Sequence, residues 1–218
     1  MINPVITSKR FCILSGCSGI LGVVLLIISF NINPGPQPNA TLNQLIEFGN
    51  QYYSSILWGA WLQAVAPVLI VLFAFSLVKL AGAMNTLAGW MTMFGAVVLM
   101  IVSLIEITFY ITAVFLSPKE GILISLNLIH AVQHLYFIVA APTLFISLGV
   151  VLWRSQVLPR IFSCFALFIG ISFALLGMIF LLQLVLPLWV TAIAGIQAIW
   201  WLAASISLIV RSGKLALK

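Results

Sequence analysis

The sequence predicts an all-α membrane protein: a polytopic helical bundle with six transmembrane helices and both termini in the cytoplasm. Hydrophobic residues make up 64% of the 218 positions and charged residues only 6%, whereas a soluble chain carries roughly a quarter charged residues. Apolar runs long enough to cross a bilayer, about 20 residues each, recur along almost the whole chain. We therefore expect residues 1–218 to form a single integral membrane domain.

The apolar runs and the polar or turn-forming breakers between them place the individual spans. The first run is too long for the apolar part of a secretory signal, and no small-residue cleavage site follows it, so it is interpreted as a retained span. The six spans are expected near residues 11–30, 54–80, 86–116, 122–153, 161–186 and 188–210.

Lysine and arginine residues set the expected orientation. If the N-terminus is inside, eight of the nine basic residues lie in the cytoplasm and only Lys119 lies outside, as the positive-inside rule requires. Because the basic residues flank spans, the net charge of +6 is attributed to orientation. The expected partners are the lipid bilayer of a plasma or inner membrane and a small-molecule or lipid ligand, and no nucleic acid.

The only sizeable loop, residues 31–53, joins the first two spans and is expected outside. It opens with a proline-rich stretch that cannot be helical throughout. Thr41 and Gln44 then form a capping-box pattern, and the apolar residues after Thr41 share one face. This pattern predicts a short helix on the outer membrane surface, either as an interfacial anchor or as the cover of a cavity that opens outward.

Glu106 is the acidic residue that falls inside a predicted span, because Glu47 and Glu120 lie in outer loops and the chain has no aspartate. A buried ionisable group costs several kcal/mol and normally faces partners inside the bundle. Counting along the helices puts Glu106 roughly 15 Å below the outer end of span three, and His130 and His134 roughly 13 and 19 Å down span four. A short linker joins these spans as a hairpin, so the three side chains are predicted to be neighbours.

Further polar side chains are expected at the same level. Tyr110 lies one helical turn outward from Glu106 on span three, and Asn127 and Gln133 border the histidine face of span four. Gln63 lies nine residues into span two, and Gln197 lies nine residues into span six. Exposing such groups to lipid is costly. The sequence therefore predicts a polar cavity or network among spans two, three, four and six that is reached from outside.

Two histidines at i and i+4 with a carboxylate from a facing helix can supply three ligands to Zn²⁺ or non-haem iron. The first hypothesis is a metal-assisted membrane enzyme that acts on a small or lipidic substrate. In this hypothesis Glu106, His130 and His134 are the metal ligands, Glu106 and Tyr110 are catalytic, and Gln63, Asn127, Gln133 and Gln197 bind the ligand.

Three alternatives use the same residues. Glu106 and the histidines could form the relay of a small proton-coupled transporter or channel. The bundle could instead bind a lipid or another hydrophobic ligand, or the polar groups could form a hydrogen-bond network that only fixes helix packing. The sequence contains no Walker loop, Rossmann glycine pattern or nucleophile elbow, so a nucleotide-driven enzyme is not expected.

Overall fold

A computed structural model describes residues 9–33, 40–115, 120–181 and 187–215. Helices account for 92% of these residues, and none of them lies in a strand. Six continuous helical segments are long and apolar enough to cross a membrane. This confirms the predicted all-α class with six candidate spans, which imply contact with a lipid bilayer, while the side on which the termini lie stays a prediction.

Eight α-helices and one π-helical turn make up the described part of the chain. Five spans are single α-helices, and the fourth combines α5, the π-helical turn Tyr136–Ala140 and α6 into one segment. The α-helices are α1 (Lys9–Ile32), α2 (Leu42–Gln51), α3 (Tyr53–Leu80), α4 (Leu87–Phe115), α5 (Glu120–Leu135), α6 (Ala141–Arg154), α7 (Arg160–Leu181) and α8 (Pro187–Leu215).

The predicted spans agree with the observed helices to within a few residues over most of their length. The last helix is longer than expected and runs to Leu215 rather than 210. Three parts of the predicted organisation lie outside the described residues: the proline-rich start of the outer loop at 34–39, most of the hairpin linker at 116–119, and the predicted end of span five at 182–186.

The six spans pack side by side into a closed ring. α1 packs on α3, α3 on α4, α4 on both halves of the fourth span, α6 on α7, α7 on α8, and α8 back on α1. Four of the buried aromatic side chains in the core pack on one another, with ring centroids 4.9–5.8 Å apart: Phe73, Phe145, Trp200 and Trp201. Large apolar side chains such as Phe165 and Phe168 on α7 are exposed on the outside of the ring, as expected where a bundle meets lipid.

The two ends of the ring differ in charge. Because six spans are present, α1 begins and α8 ends at the same end of the bundle, which we call the termini end. The opposite end, which holds α2, is the α2 end. All lysines and arginines within the described ranges lie at the termini end, at Lys9, Arg10, Lys79, Arg154, Arg160, Arg211 and Lys214. Lys119 lies outside the described residues.

The predicted short helix in the first loop is present as α2. Its capping box is formed, because the Thr41 side chain accepts from the backbone N–H of Gln44 and the Gln44 side chain accepts from the backbone N–H of Thr41. α2 packs against α3 and α5, with Leu45 buried. The helix therefore lies across the end of the bundle beside the hairpin formed by α4 and α5.

The π-helical turn in the fourth span has a local cause in Pro142. A proline inside a helix removes a backbone N–H, and its ring clashes with the carbonyl four residues earlier. Directly before the proline the helix forms a wider turn, in which the Ala141 N–H donates to the Tyr136 carbonyl. α7 approaches this turn closely, since a Cβ on Gly177 would lie 3.0 Å from the Phe137 carbonyl oxygen.

Candidate functional site

Glu106 joins three helices through its carboxyl group. The amide nitrogen of Gln63 on α3 donates to Glu106 Oε2 at 3.0 Å, and the amide nitrogen of Gln133 on α5 donates to Glu106 Oε1 at 2.7 Å. Gln63 is buried, with 4% of its surface exposed. We call Gln63, Glu106 and Gln133 the Glu106 cluster. The structure thus brings together three of the residues that the sequence placed at one depth.

A small open cavity of about 40 Å³ lies at the α2 end of the bundle, between α2, α3, α4 and α5. Its walls are mostly apolar, and Phe48 of α2, Ile56 of α3, Ala113 of α4 and Leu126 of α5 are among the lining residues. Tyr110 of α4 also lines the cavity. The short helix α2 is thus one wall of this cavity, and the side of the membrane to which the cavity opens stays a prediction.

The Glu106 cluster lies beneath this cavity on the same helix faces. Tyr110 follows Glu106 by four residues, Ile56 precedes the α3 glutamine of the cluster by seven, and Leu126 precedes the α5 glutamine by seven. Residues spaced by four or seven share one face of an α-helix. At 1.5 Å per residue the cluster lies about 6–10 Å below the lining residues, toward the middle of the bundle.

The two histidines of α5 have contacts of their own. His134 Nδ1 lies 2.6 Å from the His130 carbonyl oxygen, and the His134 ring packs against Phe180 of α7 with 5.5 Å between centroids. His130 and Asn127 are exposed on the surface of the bundle. Within the described ranges Glu106 has hydrogen bonds to the two glutamines and to neither histidine.

The predicted metal site consists of Glu106, His130 and His134. Among the residues that the structure describes, no group of three or more histidine, cysteine, aspartate or glutamate side chains is arranged to hold a metal ion. Ligation of Zn²⁺ or non-haem iron by these three residues therefore stays a prediction from their spacing.

Gln197 of α8 bonds to a partner that the sequence analysis did not identify. Its Oε1 accepts a hydrogen bond from the hydroxyl of Tyr136 in the π-helical turn, and the Tyr136 ring packs edge-on against Phe137 and Phe173. A buried phenol needs a hydrogen-bond partner, and Tyr136 follows His134 by only two residues. The need of a tyrosine within a span for a hydrogen-bond partner was therefore the signal in the sequence that could have identified Tyr136 as a site residue. The hydrogen bonds of Glu106 join spans two, three and four, and Gln197 of span six forms a separate pair.

Together, the six apolar helices and the polar groups within them define an integral membrane protein of the α-helical class. No protein-family model, no curated protein and no solved structure matches the chain.

Proposed function

We propose that the protein binds a small amphipathic or lipidic molecule in the cavity at the α2 end, with the Glu106 cluster as the polar end of the site. The observation that carries this proposal is the alignment of the cavity lining with the cluster on α3, α4 and α5. Small-molecule sites are typically apolar clefts with a few convergent polar groups. The cavity is small, about 40 Å³, and open, so a bound molecule would extend beyond its walls.

The arrangement of the walls favours an amphipathic ligand over a fully polar one. Ile56, Ala113 and Leu126 offer apolar contacts, which suit a hydrocarbon portion. Tyr110, one helical turn from Glu106 on α4, also lines the cavity, and its hydroxyl offers a hydrogen bond to a polar head group. With the orientation predicted from the basic residues, the cavity opens to the outside of the cell.

Photo-crosslinking tests the location of the site. The protein is purified in lipid nanodiscs and irradiated with two probes, an alkyl alcohol and an alkylamine that each carry a diazirine. We expect at least one probe to label peptides from α2, α4 and α5, and Ala113→Phe to remove this labelling because the phenyl ring fills the cavity. Ala192→Phe, at an exposed position on α8, is the matched control and should leave it unchanged.

Labelling that is the same in wild type and Ala113→Phe would count against the site, because lipid-exposed surfaces react without a cavity. Mass spectrometry of the purified protein gives an independent result. A co-purified amphiphile that is present with wild type and Ala192→Phe but absent with Ala113→Phe would support binding in the cavity.

A proton-coupled transporter or channel is the second candidate, and one observation favours it. Glu106 is an ionisable side chain inside a span, and its hydrogen-bond partners sit on two neighbouring helices, as in the proton relays of many pumps and transporters. Reconstituted vesicles under a pH gradient provide the test. Equal proton flux with wild type and Glu106→Gln would eliminate this candidate.

The metal-assisted enzyme rests on the spacing of His130 and His134 in the sequence and receives no support from their hydrogen bonds. Elemental analysis of the purified protein tests it directly. If the hypothesis holds, about one equivalent of zinc or iron should be present in wild type and lost in His134→Ala. A metal content that is negligible in both proteins would end it.

A further inference from the structure

We propose that the fourth span is a two-state switch, in which α5 rotates by one residue at the π-helical turn and His134 takes the place of Gln133 beside Glu106. We call the two states the observed register and the second register, where register means the alignment of α5 relative to α6. The motion is independent of ligand binding in the cavity. Its basis is an extra residue in the middle of the span and a set of polar side chains on α5 that face outward.

The π-helical turn Tyr136–Ala140 holds the extra residue. The Ala141 N–H donates to the carbonyl of Tyr136, five residues earlier, whereas an α-helical N–H donates to the carbonyl four residues earlier. If the turn adopts α-helical bonds while α6 stays in place, α5 must take up the extra residue. It then moves outward by about 1.5 Å and turns by about 100°, so that each side chain enters the place of the residue before it.

This motion changes the partner of Glu106. In the observed register the Gln133 amide nitrogen donates to Glu106 Oε1 at 2.7 Å. In the second register the His134 ring occupies that place and bonds to the same carboxyl group, while Gln63 on α3 keeps its bond to Oε2. An imidazole can both accept and donate a proton, so the switch exchanges a neutral amide for a proton-transferring group.

The exposure of α5 side chains supports a second register. Asn127 and His130 are exposed although they lie inside a span, whereas Ile129 and Val132 are buried. Polar residues within a span normally face the interior of the bundle, because contact with lipid is costly for them. The observed register thus turns polar groups outward and apolar groups inward at these two levels.

The second register reverses this arrangement. His130 enters the buried place of Ile129, and Asn127 enters the place of Leu126 in the cavity wall. Ile129 in turn enters the exposed place that His130 leaves empty two steps earlier at Leu128. At these levels lipid then meets apolar side chains, and the polar ones face inward.

Two hydrogen bonds hold the observed register. The Gln133 amide donates to Glu106, and the Tyr136 hydroxyl donates to Gln197 Oε1 on α8. Rotation of α5 breaks both and forms the bond between His134 and Glu106, so the change in polar exposure must offset the loss of one bond. Register shifts of helices occur within microseconds to milliseconds, and π-helical turns are frequent at functional sites.

Disulfide formation between α4 and α5 reports the register. The native cysteines are replaced by alanine, and Ala113→Cys is combined with Leu126→Cys, Asn127→Cys or Leu128→Cys. Each protein is oxidised with copper phenanthroline in lipid nanodiscs. Ala113 and Leu126 line the same cavity, so the Leu126→Cys pair reports the observed register and the Asn127→Cys pair the second one. Leu128 faces outward in both registers and gives the background rate.

Deletion of Ile138, whose side chain is exposed, removes the extra residue. The bond from Ala141 to Tyr136 then spans four residues, as in an α-helix, and α5 is fixed in the observed register. We expect oxidation of the Asn127→Cys pair to exceed the background in the full-length chain and to fall to the background in the deletion. The Leu126→Cys pair should oxidise in both.

Two substitutions should move the equilibrium the other way. Pro142→Ala restores a backbone donor and removes the clash of the ring, which favours a continuous α-helix. Gln197→Leu removes the acceptor of the Tyr136 hydroxyl. Each should raise the ratio of Asn127→Cys to Leu126→Cys oxidation about threefold or more.

Histidine-selective ¹⁵N labelling gives a measurement without cysteines. The chain has two histidines, and His130→Ala assigns the ring signals of His134 by elimination. In Pro142→Ala these signals should shift when Glu106→Gln is added, because the ring bonds to the carboxyl group. With Ile138 deleted they should respond much less.

The outcomes decide between one register and two. If the Asn127→Cys pair oxidises at the background rate in wild type, Pro142→Ala and Gln197→Leu, the switch is overturned. A ratio that deletion of Ile138 leaves unchanged would also overturn it. If that deletion prevents folding, the two substitutions and the His134 signals still give the answer. A raised ratio in both substitutions, with His134 signals that respond to Glu106→Gln, supports the second register.

Discussion

Tyr110 and Glu106 stand one helical turn apart on the same face of α4, so the residue that lines the cavity and the residue that holds the polar cluster belong to one stripe. Ala113 and Val114 continue this stripe toward the opening. Residues at these spacings share a face of a helix. A change in the packing of α4 would therefore move the cavity wall and the carboxyl group together.

Removing the carboxyl group of Glu106 should lower the free energy of unfolding by more than the loss of its own side-chain contacts would. In Glu106→Leu the amide groups of Gln63 and Gln133 lose their acceptor, and unsatisfied buried donors cost about 1–3 kcal/mol each. We expect a lower free energy of unfolding in mixed micelles titrated with sodium dodecyl sulfate.

The triple variant with leucine at all three positions of the Glu106 cluster gives the decisive comparison. It should recover part of the loss, because no polar group is then left without a partner, and coupling of this kind is typical of residues in one hydrogen-bond network. A triple variant whose loss equals the sum of the three single losses would show that the side chains act independently.

Two glycines provide a matched test of helix packing. A Cβ on Gly95 of α4 would lie 2.5 Å from the backbone nitrogen of Leu144 on α6, whereas a Cβ on Gly195 of α8 would meet nothing within 4 Å. Gly95→Ala should lower the free energy of unfolding by about 1–3 kcal/mol, because two backbones must separate. Gly195→Ala should be neutral or stabilising by up to about 1 kcal/mol, since alanine is the better helix former.

Thermal unfolding of the two glycine variants in the same detergent checks this prediction. Gly95→Ala is expected to melt at a lower temperature than wild type, and Gly195→Ala is not. Similar melting temperatures for both variants would mean that α4 and α6 do not approach as closely as the structure shows.

The neighbouring tryptophans of α8 differ in their hydrogen bonding. Trp200 Nε1 donates to the Phe162 carbonyl oxygen at 2.9 Å, whereas Trp201 Nε1 has no acceptor within the described part of the chain. Both side chains are buried, so substitution by phenylalanine removes similar volume at each. Trp200→Phe should therefore cost about 1 kcal/mol more than Trp201→Phe. Denaturant titration followed by circular dichroism measures the difference, and equal or reversed losses would contradict the assignment.

The sequence predicted the helical class and the six spans because long apolar runs separated by short breakers leave few other arrangements. It also predicted the depth of the Glu106 cluster, because helix rise converts residue number into distance along a span. It named His130 and His134 as the α5 neighbours of Glu106, whereas the hydrogen bond from α5 comes from Gln133. Gln133 and His134 are adjacent in sequence and differ in depth by about 1.5 Å, but by about 100° around the helix.

Which side chain of α5 points toward α4 depends on the face of α5 that packs against α4. The depth of a residue along the span does not determine this face. Ile129 and Val132 of α5 are buried, and their face brings Gln133 toward α4 while His134 packs on Phe180. The bond between Tyr136 and Gln197 was missed for a related reason. It joins residues that are distant in sequence, and its geometry depends on a π-helical turn that periodicity does not reveal.

The orientation in the membrane is predicted from the distribution of basic residues, and cysteine labelling checks it. Asn50 on α2 and Lys214 on α8 are exposed at opposite ends of the bundle. The native cysteines, Cys12, Cys17 and Cys164, are unpaired and are first replaced by alanine. In intact cells a membrane-impermeant maleimide should label Asn50→Cys and not Lys214→Cys, and after permeabilisation it should label both. The reverse pattern would place the termini outside, and the cavity would then open to the cytoplasm, which would refute the outward-facing part of the proposed function.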